Sequence, residues 1–262
     1  MTEAHTERLY LYCTEEALLS IIKEGKLKVS QPWGTNDITE GVSQGLMRRN
    51  PSIEQYGYVC FSKTCTSPAM WGYYAQRSQG AVIAFDIASI LSESKETHWT
   101  IINPQKWHMP QPDLPGKLVK VEYGTTRPPQ EADIYTQLSQ KSATWEAEQE
   151  YRYILPLADC EFQDIEEKNG VTLGVYKTTP ILQFATGIIL GTECRLKEAL
   201  IQAKLKKHED SNHIPADITV TRIEWNNLNF EFVSPKIKYL DMCRSYRESI
   251  FMKQNPPLVS FD

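Results

Sequence analysis

The chain lacks the sequence signatures of several common catalytic, metal and nucleotide sites. Its six cysteines include no C-x-x-C pair and its five histidines are scattered, so no zinc-like spacing occurs and we expect no metal ion. It has no P-loop, no G-x-G-x-x-G turn and no G-x-S-x-G elbow. These absences leave phosphate binding by those loops, and catalysis by a serine triad, without support.

Long hydrophobic runs and a strong charge of one sign are also missing. The longest apolar run, around "FATGIILG", is too short to span a bilayer, and the charged N-terminus "MTEAHTERLYLYCTEE" lacks the apolar core of a signal peptide. With 28 basic and 33 acidic residues, the net charge of −5 argues against a broad basic surface for nucleic acid. We expect a cytoplasmic protein with reduced cysteines and no membrane contact, or an effector secreted without a Sec-type signal.

What the sequence does contain is enough apolar material for a real core. The 262 residues are 41% hydrophobic, and no change of composition calls for a second domain. We therefore expect one domain over residues 1–262, with a loosely held, proline-bearing tail at about 254–262.

Alternating β-rich and helical segments predict an α+β fold. A helix capped by Thr14 and stopped by Gly25 follows the first strand, and Pro68 opens a second helix. A third helix is expected over "PPQEADIYTQLSQKSATW", leading into a strand at "EAEQEYRYIL", and a fourth over "RLKEALIQAKLKKHED". The other predicted strands are "RLYLYC" (8–13), "GYVCFS" (57–62), "GAVIAFD" (80–86), "KLVKVEYG" (117–124), "VTLGVYK", "ILQFATGIILG" and "DITVTRIEW".

Two carboxylates and a guanidinium occupy every second position of "EAEQEYRYIL". If this segment is extended, Glu148, Glu150 and Arg152 share one face. An exposed strand face with a surface ion pair would explain the pattern, and so would a helix that pairs Glu148 with Arg152 at i, i+4. The third interpretation is a carboxylate site at the entrance to a core.

A second candidate site lies in "MWGYYA", where Met70, Trp71, Tyr73 and Tyr74 fall within one helical turn. Side chains in one turn spread around the helix axis, so they cannot all face one core. Either two of them pack in the core and two lie under a loop, or they form an aromatic wall for a flat ligand. Taken alone, Ser62 carries little weight, and Asn36 and Asp37 are ordinary turn formers.

In combination, these segments resemble a bacterial family known as domain of unknown function 2971. The shared pattern is an aromatic first strand, an N-D-P-x-E-like loop, C-F-S, M-W-x-x-Y-A, G-x-x-x-x-F-D and K-x-x-x-W-x-x-E-x-E-x-R. The chain departs from the pattern at Leu11, where a basic or His residue is common, and at Ile38, which replaces the loop proline. The matching residues are Tyr10, Tyr12, Asn36, Asp37, Glu40, Cys60, Phe61, Ser62, Met70, Trp71, Tyr74, Ala75, Gly80, Phe85, Asp86, Lys141, Trp145, Glu148, Glu150 and Arg152.

The family is remotely similar to the ADP-ribosyltransferase fold, which implies a split, strongly bent β-sheet with flanking helices and NAD in the cleft. Glu150 is then expected to contact the ribose, while Glu148 positions the acceptor. The residues expected to bind NAD are Tyr10, Tyr12, Asn36, Asp37, Ser62, Trp71, Tyr74, Lys141 and Arg152.

The resemblance implies cleavage of the nicotinamide–ribose bond of NAD and transfer of ADP-ribose to an unknown protein or nucleic-acid acceptor. An NAD glycohydrolase, with water as the acceptor, fits the same residues. Leu11 favours a third alternative, an inactive nucleotide- or protein-binding module of the same fold. Such domains imply a toxin, an effector or a phage-defence component, and the residues do not distinguish among these.

Overall fold

The computed structural model describes residues 8–37, 39–44, 53–86, 116–168, 171–178, 182–208, 218–226 and 232–233. Ile38 and the expected tail at 254–262 lie outside these ranges. The helices are α1 Glu15–Glu24, α2 Pro68–Tyr74, α3 Ile134–Ser139 and α4 Glu198–Lys207. The strands are β1 Arg8–Cys13, β2 Leu27–Val29, β3 Tyr56–Ser62, β4 Ala81–Asp86, β5 Lys117–Lys120, β6 Glu122–Gly124, β7 Gln140–Ser142, β8 Glu150–Pro156, β9 Glu161–Lys168, β10 Val171–Thr178, β11 Ala185–Leu190, β12 Thr219–Arg222, β13 Glu224–Trp225 and β14 Phe232–Val233.

A seven-stranded sheet organises the protein, in the order β12-β11-β4-β1-β3-β8-β5. Its neighbouring strands are antiparallel, except that β11 and β12 are parallel. A smaller sheet has the order β2-β10-β9. The α+β prediction is therefore confirmed. None of the helices in the described ranges is long and apolar enough to cross a membrane.

The large sheet consists of two halves that meet at one residue pair. β1 pairs with β4 along all six of its residues, and β3 pairs with β8 along seven. In the described part of the chain, β1 and β3 pair only at Tyr10 and Ser62. Beyond this pair the two strands separate, and a gap opens between the half-sheets.

Alternation along β1 sends its side chains to two cores. Leu9, Leu11 and Cys13 belong to the larger core, which also includes apolar side chains of α1. On the other face, Tyr10 and Tyr12 pack against a smaller core that includes Trp71 of α2. The first strand is thus buried on one face and partly buried on the other, which fixes its position.

Local signals set the ends of the two helices nearest the gap. The Thr14 hydroxyl accepts a hydrogen bond from the Ala17 amide at 3.1 Å, and Gly25 ends α1 with a φ of 65°. Pro68 begins α2 as the sequence predicts. A Cβ on Gly80 would lie 2.2 Å from the Cys13 carbonyl oxygen, so only glycine fits where β4 begins beside the end of β1.

The structure corrects the predicted path of the chain before β8. The expected long helix is limited to α3, and Ala143–Glu148 form a 3-10 helix that follows β7. Gln149, with a φ of 47°, ends that helix and turns the chain into β8. The expectation that Glu148 belongs to the strand is therefore wrong, because β8 begins only at Glu150.

Two other element predictions need correction. The segment 117–124 forms two strands that pair with different partners, β5 with β8 and β6 with β7. The acidic stretch "EFQDIEEK" is not among the predicted strands, yet it forms β9 and pairs with β10. Pairing in the sheet overrides the low strand propensity of its charged residues.

Candidate functional site

A cavity of about 440 Å³ occupies the gap between the half-sheets. Leu11–Cys13 of β1 and Val59–Phe61 of β3 line it. Had the antiparallel ladder continued beyond the Tyr10–Ser62 pair, these residues would face one another as partners. The volume lies within the range of about 300–1,000 Å³ that is usual for small-molecule sites. The cavity therefore arises directly from the separation of two neighbouring strands.

Charged side chains from distant parts of the chain meet in the wall of this cavity. Glu40, Glu148, Glu150 and Arg152 are all buried, and the Lys141 side chain is 7% exposed. Each of them lines the cavity. Three carboxylates thus face two cations, which leaves one negative charge uncompensated within this cluster.

Arg152 is the centre of the cluster and is 1% exposed. Its Nε–H donates to Glu150 Oε1 at 2.8 Å, and Nη2 donates to Glu150 Oε2 at 3.0 Å. Nη1 and Nη2 also donate to the two oxygens of Glu40, and Nη1 donates to the Leu138 carbonyl at 2.6 Å. All five N–H groups of the guanidinium are used. Arg152 therefore positions two carboxylates and has no donor left for a phosphate.

Lys141 bridges the two glutamates that the sequence singles out. Its Nζ donates to Glu148 Oε2 at 2.6 Å and to Glu150 Oε2 at 3.1 Å, and lies 3.8 Å from Glu40 Oε1. Burial lowers the pKa of Lys141, but Glu150 and Glu40 outweigh burial and raise it above its usual value. Lys141 stays charged and holds the carboxylates close together.

Protein groups occupy most of the Glu150 carboxylate. It accepts two hydrogen bonds from Arg152 and one from Lys141. An ionised carboxylate offers about four acceptor positions. Burial raises the pKa of Glu150, but Arg152 and Lys141 outweigh burial and lower it to about 2. Glu150 is therefore an ionised anchor with little capacity for a ligand.

Glu148, at the end of the 3-10 helix, can accept more hydrogen bonds from a ligand than Glu150 can. Its carboxylate accepts hydrogen bonds from Lys141 and from the Tyr74 hydroxyl, which leaves about two acceptor positions open. Burial and the bond to Glu148 raise the pKa of Tyr74 well above its usual value. Tyr74 therefore remains a neutral donor, 74 residues away in sequence from the carboxylate that it contacts.

The aromatic turn divides between core and cavity. Tyr74 lines the cavity, whereas Trp71 is buried beneath α2, where its Nε1–H donates to the Cys65 carbonyl at 2.7 Å. Trp71 is not part of the cavity lining, and its ring packs edge-on to Tyr12 at 5.5 Å. Tyr73 is 74% exposed. One aromatic residue thus lines the cavity and another supports it from the core.

Tyr10, Tyr12 and Ser62 also line the cavity, and two of them have a clear structural role. The Tyr12 hydroxyl donates to the Thr64 carbonyl at 2.9 Å. The Ser62 hydroxyl donates to the Glu148 carbonyl at 2.7 Å. Ser62 therefore holds the main chain of Glu148 at the junction of the half-sheets.

The loop after β2 brings Asn36, Asp37 and Glu40 to the same cavity. Asp37 Oδ1 accepts hydrogen bonds from the amide and the hydroxyl of Thr39 at 2.8 and 2.7 Å. Its other oxygen, Oδ2, is buried without a hydrogen-bond partner. Asp37 is thus both a turn former and a cavity residue.

Sequence reasoning did not count Glu40, Tyr58 or Cys60 among the site residues. The Glu40 carboxylate binds Arg152, the Tyr58 hydroxyl donates to Glu40 at 3.3 Å, and the Tyr58 ring lies 4.4 Å from the guanidinium. Glu40 was visible only as one position of the loop motif. Its pairing with a residue 112 positions away gives no local signal.

Residues 70–153 match the model of a family described as "Protein of unknown function (DUF2971)". The resemblance drawn from the motifs is confirmed over that stretch, which includes Tyr74, Lys141, Glu148, Glu150 and Arg152. Searches of curated proteins and of solved structures found no match.

Proposed function

We propose that this protein binds NAD in the cavity between its half-sheets and transfers ADP-ribose to a macromolecular acceptor. The observation that carries the proposal is the convergence of Glu148 and Tyr74 on a cavity that opens where β1 and β3 separate beyond their single paired position. A sheet divided in this way supports the ADP-ribosyltransferase-like fold that the sequence resemblance implies.

The reaction breaks the bond between the ribose C1′ and the pyridinium nitrogen of NAD. Nicotinamide leaves with the bonding electron pair, C1′ becomes oxocarbenium-like, and an acceptor nucleophile then bonds to C1′ and loses its proton. The transition state resembles that of glycoside hydrolysis. A fixed carboxylate beside C1′ lowers the free energy of this transition state more than it lowers the free energy of the ground state.

The hydrogen bonds indicate different roles for Glu148 and Glu150. Glu148 has about two acceptor positions free for a ribose hydroxyl, whereas Glu150 has about one, because three protein hydrogen bonds already reach its carboxylate. We assign ligand contact to Glu148 and the positioning of Lys141 and Arg152 to Glu150. The sequence resemblance instead assigns the ribose contact to Glu150 and the positioning of the acceptor to Glu148, so separate substitutions of the two residues distinguish the two assignments.

Two other functions use the same site. An NAD glycohydrolase differs only in accepting water at C1′. An inactive binding module is favoured by Leu11, which is buried at the position where a basic or His residue is common in the resembled family, and by the complete pairing of Arg152.

Incubation with NAD labelled in its adenosine half, with and without cell lysate, tests the proposal. A transferase moves label to protein or nucleic acid and releases an equal amount of nicotinamide. Free ADP-ribose as the sole labelled product identifies the glycohydrolase. If NAD binds but stays intact, the binding module is correct. Glu148→Gln serves as the negative control, and Glu146→Gln, an exposed glutamate on the same 3-10 helix, as the matched positive control.

A further inference from the structure

We propose that the free edge of β9 binds an extended, basic segment of a partner protein, which adds to the β2-β10-β9 sheet as a further strand. β9 lies at the end of that sheet, and no strand in the described part of the chain pairs with its other edge. This surface lies outside the cavity lining, so the proposal does not depend on the NAD chemistry proposed above. Three features of β9 carry it.

The first feature is that little protects this edge from pairing. Natural edge strands are usually kept from pairing by short length, proline, lysine side chains or bulges. β9 has eight residues, no proline, and a lysine only at its last position, Lys168. Its pairing with β10 is irregular at Gln163, because Phe162 and Asp164 oppose consecutive residues of β10. Residues 164–168 therefore present a regular edge that no described strand covers.

The second feature is a set of main-chain groups that point away from β10. In an antiparallel ladder, alternate residues direct their N–H and C=O groups to the partner strand, and the residues between them direct these groups to the other edge. The Ile165 amide donates to the side chain of its own neighbour, Asp164 Oδ1, at 2.8 Å. An N–H used in this way is not part of the ladder with β10, so Ile165 and, by alternation, Glu167 face the free edge. An added strand exchanges the local bond of Ile165 for a ladder bond.

The third feature is the side-chain charge of β9, which decides the kind of partner. The strand carries four acidic residues and one lysine. Two lysines, one in β2 and one just before it, pair with Glu161 and Glu166, each at 2.5 Å. Asp164 and Glu167 are exposed, and no lysine or arginine of the described chain forms an ion pair with them. Like charges directly opposite each other on neighbouring strands are destabilising. A basic strand therefore fits this edge, whereas a second copy of β9 places acids against acids.

An exposed apolar side chain lies between these acids. Ile165 is 61% exposed and pairs with Gly174 of β10, which has no side chain to cover it. An apolar side chain on an added strand packs beside Ile165 and removes part of this area from water. The partner is therefore an extended segment in which lysine or arginine alternates with apolar residues.

Three capped peptides test the proposal by fluorescence anisotropy with the full chain. The peptide KVKVKVK has the proposed chemistry, and EVEVEVE reverses its charge. KVKPKVK keeps the charge but replaces the central valine by proline, which cannot donate to a ladder. We expect KVKVKVK to bind at least about tenfold more tightly than either of the others. Equal binding of KVKVKVK and KVKPKVK shows a charge effect without strand pairing and overturns the proposal.

Two substitutions of Ile165 separate pairing of the main chain from contact of the side chain. Ile165→Pro removes the N–H from the free edge, where an edge strand tolerates proline. Ile165→Thr keeps the N–H and a β-branched side chain. The proline variant should lose KVKVKVK binding, whereas the threonine variant should keep it within about fivefold of the wild type. Equal losses in the two variants assign binding to the Ile165 side chain and overturn strand addition.

A second set of variants tests the charge. Asp164→Asn combined with Glu167→Gln should weaken KVKVKVK binding about tenfold, because two ion pairs with the peptide are lost. Glu146→Gln alters an exposed acid outside β9 and should leave binding unchanged. Equal weakening in this control contradicts the assignment of the charge to β9.

The remaining outcomes also decide the question. If Ile165→Pro does not fold, as judged by circular dichroism, the comparison with KVKPKVK settles strand pairing on the unaltered protein. A wild-type dimer that Ile165→Pro converts to a monomer identifies a second copy as the occupant and overturns the basic partner. If none of the peptides binds, the proposal is overturned.

Discussion

Arg152 of β8 and Glu40, 112 residues apart in sequence, form a buried pair with two N–H···O bonds of 2.8 and 2.6 Å. This pair connects the loop after β2 to the half-sheet formed by β3, β8 and β5. Because the loop also carries Asp37, the Glu40–Arg152 pair fixes one wall of the cavity relative to the other.

Removing one member of that pair should destabilise the protein strongly. Glu40→Ala leaves Arg152 with buried, unpaired N–H groups, and breaking a buried pair costs about 3–5 kcal/mol. Urea denaturation should show this loss in the free energy of unfolding, while Glu146→Ala, at an exposed site, should change it by less than about 0.5 kcal/mol. A loss below about 1 kcal/mol for Glu40→Ala would mean that the pair contributes little.

Substitutions of Glu148 and Glu150 should differ in their effects on turnover and stability. Glu148→Gln should keep the fold and reduce nicotinamide release by a factor of about 10²–10³, the usual cost of losing one electrostatic contact to a transition state. Glu150→Gln should reduce the free energy of unfolding as well, since its carboxylate accepts three hydrogen bonds from the buried cations Arg152 and Lys141. Nicotinamide release and unfolding are measured for both variants. Wild-type turnover in Glu148→Gln, combined with a stable but inactive Glu150→Gln, would restore the assignment made from the sequence.

Two substitutions of Tyr74 separate its ring from its hydroxyl. Tyr74→Ala removes the aromatic face and should weaken NAD binding by up to about 2 kcal/mol. Tyr74→Phe keeps the ring but removes the donor to Glu148, so it should slow turnover more than it weakens binding. Calorimetry and initial rates on the folded variants test this. Unchanged NAD affinity in Tyr74→Ala would show that the ring only packs.

Acid should destabilise the protein in part through Glu150. The pKa of this carboxylate is about 2 in the folded protein, below its ordinary value of 4.5. A lowered folded pKa contributes stability that is complete above about pH 5 and is lost as the pH falls towards 2. The loss should be on the order of 3 kcal/mol. The free energy of unfolding, measured at pH 7, 5 and 3, should therefore decrease more between pH 7 and pH 3 for the wild type than for Glu150→Gln. Equal decreases would contradict the lowered pKa of Glu150.

Local sequence signals predict many of the strands and helices around the cavity. Periodicity and capping residues placed β1, α1, β3, α2 and β4 close to their observed positions. Glu148 was wrongly predicted to lie in β8, because charged residues at every second position are typical of a strand. In the structure Gln149 adopts a left-handed conformation, which the sequence does not predict, and it separates Glu148 from β8. Glu150 and Arg152 do share a strand face. Glu148 reaches the same cluster by a different route.

The parts of the site that the sequence does not predict depend on side-chain contacts between residues that are distant in sequence. Glu40 stands in a turn-forming stretch, and its role depends on Arg152, which folding brings to it. The hydrogen bonds to the Glu150 carboxylate also depend on residues of two strands, Lys141 of β7 and Arg152 of β8. These contacts decide which carboxylate is free for a ligand, and no local pattern encodes them.

The single pairing of Tyr10 with Ser62 has a consequence for amide hydrogen exchange. Alternate residues of an antiparallel strand direct their N–H and C=O groups to opposite edges, so part of β1 after Tyr10 presents its main chain to the cavity and not to β4. Amides of that edge should exchange with solvent deuterium much faster than the amides that pair with β4, although both lie in the centre of the sheet. A ligand that fills the cavity should slow the exchange of this edge first.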